Sequence, residues 1–132
     1  MKHVAPVLLG GFAVAVAMLV SATVVFAAGL YDGTYHGTLI ADGANATNCA
    51  KQAPIQMTVT DSKLEYNHMG AATITATVGA DGSFSGSGQN KFSAARVGPL
   101  VTNIVGTIAA GAIQADANTG NYCKYKLQLK KF

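Results

Sequence analysis

Ile55-Gln56-Met57-Thr58-Val59-Thr60-Asp61-Ser62-Lys63-Leu64-Glu65-Tyr66-Asn67 decides the fold class of this chain. Its first half alternates apolar and polar residues with a period of two, the spacing at which one face of a β-strand is buried and the other solvated. Asp61-Ser62-Lys63 interrupts the pattern with residues that favour turns, and alternation resumes at Leu64. Strand, short turn and returning strand make a hairpin.

The same grammar continues outward in both directions. Upstream, Thr34-Tyr35-His36-Gly37-Thr38-Leu39-Ile40 stops at Asp42-Gly43. Downstream, Thr73-Ile74-Thr75-Ala76-Thr77-Val78 passes through Gly79-Ala80-Asp81-Gly82 into Ser83-Phe84-Ser85-Gly86. Leu100-Val101-Thr102-Asn103-Ile104-Val105-Gly106-Thr107-Ile108 passes through Ala109-Ala110-Gly111 into Ile113-Gln114-Ala115-Asp116. Asn118-Thr119-Gly120-Asn121 then leads into Tyr122-Cys123-Lys124-Tyr125-Lys126-Leu127-Gln128-Leu129. Runs at this spacing, broken by Gly and Asp, predict an all-β fold, a small antiparallel meander of about eight strands closed as a barrel or packed as a sandwich. Residues 58–64, 77–84 and 107–113 repeat one form, an apolar strand end, a short turn and an apolar strand start, which reads as hairpin grammar rather than a solenoid. The long connections fall at 44–54 and 88–99, and connections of that length are mobile or functional.

Alternation also assigns faces. Ile55, Met57 and Val59 face inward, as do Cys123, Tyr125, Leu127 and Leu129. Lys124, Lys126 and Lys130 share the outward face of the last strand and form a basic stripe, read as a solvated, edge-protecting face or as an attraction to acidic polymers. Thr73, Thr75 and Thr77 form an outward row, the pattern of a solvated β face and also of surfaces that meet an ordered polymer or ice. Residues 100–108 are apolar on both sides, which fits a strand covered on both faces or one at a contact surface.

The first thirty residues have a different character. Lys2, an uncharged apolar run over 4–30 and the small residues Ala27, Ala28 and Gly29 describe a hydrophobic N-terminal export helix with a cleavage site after Ala27. Residues 1–27 are thus expected to be a signal peptide and 28–132 a single exported β domain. The run is long enough to cross a bilayer, so an uncleaved membrane anchor through 4–30 is the alternative. The expected location is periplasmic, extracellular or membrane-anchored. Removing Lys2 lowers the formal net charge from +3 to +2, a balance that gives no reason to expect nucleic acid as a partner.

Export makes the two cysteines legible. Cys49 and Cys123 are expected to pair in a structural disulfide, because an oxidising compartment favours it and no CxxC spacing or histidine cluster suggests a metal site. Asn45-Ala46-Thr47 matches the glycosylation acceptor triplet, a degenerate pattern. The sequence presents no catalytic constellation and no cofactor motif. Glu65 stands alone, Asp42, Asp61 and Asp81 sit at turns, and Ser85-Gly86-Ser87-Gly88 lacks the following helix of a phosphate loop.

Tyr31, Tyr35, His36 and Tyr66 are the candidate ligand-binding residues, a polar-aromatic set near Asp32 that suits a barrel mouth or an exposed sheet face. His68 is placed in a turn beside Asn67 and Gly70. Asp32-Gly33-Thr34-Tyr35-His36-Gly37-Thr38 followed by a meander resembles the opening of small lipocalin-like or avidin-like barrels. The likeness covers one strand, the Trp usual at the base of those barrels is missing, and no site residue is carried over. The expected function is a non-enzymatic exported binding or envelope-associated module for a small molecule, glycan or protein. A self-assembling or partner-binding protein, including an inhibitor of a secreted hydrolase acting through a loop such as 51–54, is the alternative, and a small hydrolase using His36 with an Asp comes last.

Overall fold

The computed structural model describes residues 29–43, 48–91 and 100–132. The export segment with its cleavage site, the triplet Asn45-Ala46-Thr47 and most of the 88–99 connection lie outside the described residues. Eight strands follow one another: β1 (Gly33–Ala41), β2 (Gln52–Thr60), β3 (Lys63–His68), β4 (Ala72–Thr77), β5 (Ser83–Gln89), β6 (Val101–Ala109), β7 (Ala112–Thr119) and β8 (Cys123–Lys131). Each pairs antiparallel with its sequence neighbours, and β1 pairs with β8 to close a barrel. The meander is therefore a barrel and not a sandwich. Closure leaves no strand without two neighbours, although the first half of β2 is unpaired on its β3 side.

Several strands outrun their apolar alternation. β5 continues to Gln89 and β7 to Thr119, because ladder pairing to β6 persists where the inward positions carry Gly86, Gly88, Ala117 and Thr119. β2 begins at Gln52 and takes in Pro54, inside the span where the alternation predicts a connection. Proline lacks a donor and is tolerated where pairing is one-sided. Here β3 pairs with β2 only from Met57 to Thr60, so the Pro54 half of β2 bonds to β1 alone. His68, placed in a turn from sequence, is instead the last residue of β3 and points inward.

The three repeated segments are the β2–β3, β4–β5 and β6–β7 hairpins, which an up-and-down meander brings to one end of the barrel. Asp61 and Ser62 (φ 50° and 66°) and Ala110 and Gly111 (φ 51° and 75°) make two-residue turns with both central residues left-handed, the form whose twist matches paired strands. The opposite end carries both long connections and the disulfide, and is called the disulfide end below.

Inward side chains fill the lumen. Tyr35, Leu39, Met57, Leu64, Tyr66, Ile74, Ile113 and Leu127 are each fully buried, so no water-sized void opens beside them. Burying a side chain of this size contributes about 1.5–3 kcal/mol. Outward positions are mostly Ser, Thr, Asn, Gln and Lys, the reverse of a membrane-spanning barrel, whose outer band is apolar.

Lumen side chains are not evenly sized around the barrel. β1 to β3 contribute Tyr35, Leu39, Met57 and Tyr66, whereas the middle of the β4–β7 wall contributes Ala76, Gly86, Gly106, Ala115 and Ala117. A Cβ at Gly106 would lie 2.5 Å from the Ala115 Cβ, and one at Gly86 would lie 2.6 Å from the Thr75 carbonyl oxygen. Small residues let this wall sink toward the lumen, and close packing draws it in. The outer surface there is concave.

Candidate functional site

The concavity is a groove of about 1170 Å³ running over the outer faces of β4 to β8. It is continuous with a second of about 730 Å³ toward the disulfide end, the two sharing Ser85, Val105, Asp116 and Lys126. Strand register arranges its side chains in rows across the strands. One row is Thr75, Ser87, Asn103, Asn118 and Lys124; another is Ser83, Thr107, Gln114 and Gln128. Between them run Ser85, Val105, Asp116 and Lys126. Antiparallel pairing sets neighbours within a row ~4.8 Å apart, and rows follow one another at ~6.8 Å along the strands.

Hydroxyl and amide groups dominate this trough. Among the described residues, the side chains of Thr75, Ser85, Ser87, Asn103, Thr107, Gln114 and Gln128 make no hydrogen bond to another protein group, so their donors and acceptors face solvent. The cation at its centre is compensated. Lys126 lies 2.8 Å from Asp116 and 4.0 Å from Asp42, and the hydrogen bond to Asp116 raises the lysine pKa. All three side chains are more than half exposed or nearly so, and such a pair adds little stability. Its consequence is that the Lys126 cation is compensated locally. Val105, 55% exposed, and Val101, 41% exposed, are the apolar side chains on the outer face of β6.

The polar-aromatic residues singled out from the sequence divide into three places. Tyr35 and Tyr66 share a register row through Met57 and both point into the lumen, each only 1% exposed. The Tyr35 hydroxyl donates to the Tyr31 carbonyl (2.7 Å), and the Tyr31 hydroxyl donates to the Ala80 carbonyl (2.9 Å), so this pair laces the tight-turn end. Asp32 joins them there by accepting the Asp61 amide at 3.0 Å. Tyr66 belongs to the other end, its hydroxyl 2.8 Å from His68 Nδ1. His36 is on the outer face of β1 against Phe132, with ring centroids 4.6 Å apart. The structure thus brings Tyr31 and Tyr35 together and separates them from His36 and Tyr66.

His68 is the residue whose setting the sequence hid. It is 2% exposed, with the Tyr66 and Tyr125 rings each 5.6 Å away. Burial lowers its pKa to about 4 and, with Tyr125 nearby, raises that of Tyr66. The ring is therefore neutral at ordinary pH and can accept from the Tyr66 hydroxyl. At the same end of the barrel, buried Thr102 bonds Thr119 and Asn90, at 2.8 Å each. A neutral, hydrogen-bonded imidazole at a lumen end fills the core without supplying a charge.

Cys49 and Cys123 form a disulfide, with Cα atoms 5.6 Å apart. It ties the β1–β2 connection to the first residue of β8, next to Tyr125 in the lumen. The bond is consistent with an oxidising, exported location. Of the basic stripe, Lys126 lies in the trough centre, Lys124 at the end of one row, and Lys130 beyond it, paired with His36 and Ala112. Among the described residues no three of His, Cys, Asp and Glu gather in a metal-holding group.

Sequence reasoning found the Thr row but not the trough, because the rows exist only once β5 to β8 are in register. Ser83-Phe84-Ser85-Gly86-Ser87-Gly88 carried a usable signal: hydroxyls alternating with glycines put polar groups outside and nothing inside. Comparison with protein-family models, with curated proteins and with solved structures finds no match to the chain.

Proposed function

We propose that this chain is an exported, non-enzymatic binding module, and that it recognises its ligand on the outer trough of β4 to β8. One observation carries this reading. The lumen is filled, while a concave outer groove of about 1170 Å³ is lined by hydrogen-bonding side chains, among which Thr75, Ser85, Thr107, Gln114 and Gln128 bond no other protein group. On this reading Tyr31, Tyr35 and Tyr66 shape and close the barrel, and residues 1–27 deliver it out of the cytoplasm.

The test is co-sedimentation of the purified protein with envelope and extracellular material from its own cells, with two variants. Val105→Arg fills the trough centre, and Gln56→Arg makes the same change on the exposed outer face of β2. Wild type and Gln56→Arg are expected to sediment alike and Val105→Arg to remain soluble. Equal sedimentation of all three would refute the trough, and none by any would refute the binding module. Intact mass of the protein recovered outside the cytoplasm reports cleavage after Ala27.

Exposed Val101 and Val105 favour a second reading, in which another protein or another copy of the chain covers β6. Sedimentation velocity at rising concentration separates self-association from a monomer.

A further inference from the structure

We infer that the trough takes a neutral, extended oligosaccharide lying across the strands, with about four sugar units in contact. This inference rests on the proposal that the trough is the recognition surface.

Neutrality is the first argument. The cation at the trough centre, Lys126, is held by Asp116 and Asp42; the other lining lysines, Lys63 on β3 and Lys124 at the start of β8, lie off the row Ser83, Thr107, Gln114, Gln128, which carries no charge. An anionic polymer, whether nucleic acid or acidic glycan, needs unneutralised cations along its path, and none lines that row. A neutral polymer meets no such mismatch.

The lining chemistry is the second. A hydroxyl both donates and accepts, and a carboxamide offers two donors and an acceptor. Polyhydroxylated ligands present the same mixed capacity and can satisfy both ends. An extended peptide adding a strand needs an open sheet edge, and the trough strands β5 to β8 each have a paired neighbour on both sides. Its side chains would also want apolar pockets, where this trough offers Val105 among Ser, Thr, Asn and Gln.

Spacing is the third. Side chains in a row repeat at ~4.8 Å, close to the rise per unit of an extended, equatorially linked hexose chain. A sugar chain laid along a row meets a fresh polar side chain at each unit, whereas a chain laid along the strands meets one only at every second residue. From β5 to β8 the uncharged row sets four side chains over about 14 Å, three strand spacings. That length sets the number of units in contact.

The test is calorimetric titration of the intact protein with cello-oligosaccharides from the disaccharide to the hexasaccharide. An oligogalacturonate of equal length and a Ser/Thr/Gly peptide serve as comparators. Affinity is expected to rise about fivefold per added unit, the equivalent of one net hydrogen bond, and to level off at the tetra- or pentasaccharide. Gln114→Ala with Gln128→Ala, both exposed outer-face changes on the uncharged row, is expected to weaken the tetrasaccharide more than tenfold and to leave the disaccharide nearly unaffected. Peptide or oligogalacturonate binding that Val105→Arg abolishes, with no oligosaccharide binding, would overturn the sugar assignment while leaving the trough as the site. Oligosaccharide binding untouched by Val105→Arg would overturn both.

Discussion

Acidification should destabilise this barrel through His68 alone by about 3 kcal/mol. In the folded protein burial holds the imidazole pKa at about 4, against 6.5 for an unhindered ring. Between those values the unfolded chain binds a proton that the folded chain refuses, so stability falls as pH falls. The contribution is complete above 6.5 and is lost progressively down to 4. Each unit of pKa difference is worth 1.36 kcal/mol, which over this window gives about 3 kcal/mol. Carboxylates titrate in the lower part of the same window, so a reference variant is needed. His68→Gln keeps a hydrogen-bonding group near Tyr66 and removes the titration. Urea unfolding midpoints measured from neutral pH down to 4 should fall more steeply for wild type than for His68→Gln, the curves diverging below 6.5. Parallel curves, or a folded-state His68 resonance that titrates near 6.5, would refute the reasoning.

Other consequences are equally direct. Replacing Cys49 and Cys123 by Ala frees a loop with a sequence separation of 74, and the chain-entropy model then expects a loss of about 4 kcal/mol, readable as a lower urea midpoint that reductant no longer shifts. Gly106→Val places a Cβ 2.5 Å from the Gln114 carbonyl oxygen and the Ala115 Cβ; it should cost about 1–3 kcal/mol by overpacking and push the dented wall outward, weakening any trough ligand as seen by calorimetry. Tyr35→Phe deletes the bond to the Tyr31 carbonyl and should lower stability by about 1 kcal/mol, with faster amide exchange at residues 31–34 but unchanged ligand affinity.

Much of this barrel is legible in one dimension. Alternation in β2, β4 and β8 places Met57, Ile74 and Leu127 inside and Gln56, Thr75 and Lys126 outside, and the structure agrees at each. That works because side-chain direction in a strand is a local property with period two. Closure was not legible, since whether β8 returns to β1 depends on strand tilt and stagger rather than on any single residue. His68 shows a different limit. Its neighbours Asn67, Met69 and Gly70 look like a turn, and only the last inward position of β3, beside Tyr125 from across the lumen, makes it a core residue. The trough lay furthest from the sequence. It needs the missing side chains at Gly86 and Gly106 to draw a wall inward, and register to line up Ser87 with Asn103 and Gln114 with Gln128. Small inward residues and polar outward ones were each visible; their joint effect on curvature was not.

The measurement that bears most directly on recognition by the outer wall is amide chemical-shift mapping of the intact protein with cellohexaose. Shifts are predicted at Ser83, Ser85, Val105, Thr107, Gln114 and Gln128, with Tyr66, His68 and Tyr125 unmoved. Shifts concentrated at the lumen residues of the disulfide end, with the trough silent, would contradict it.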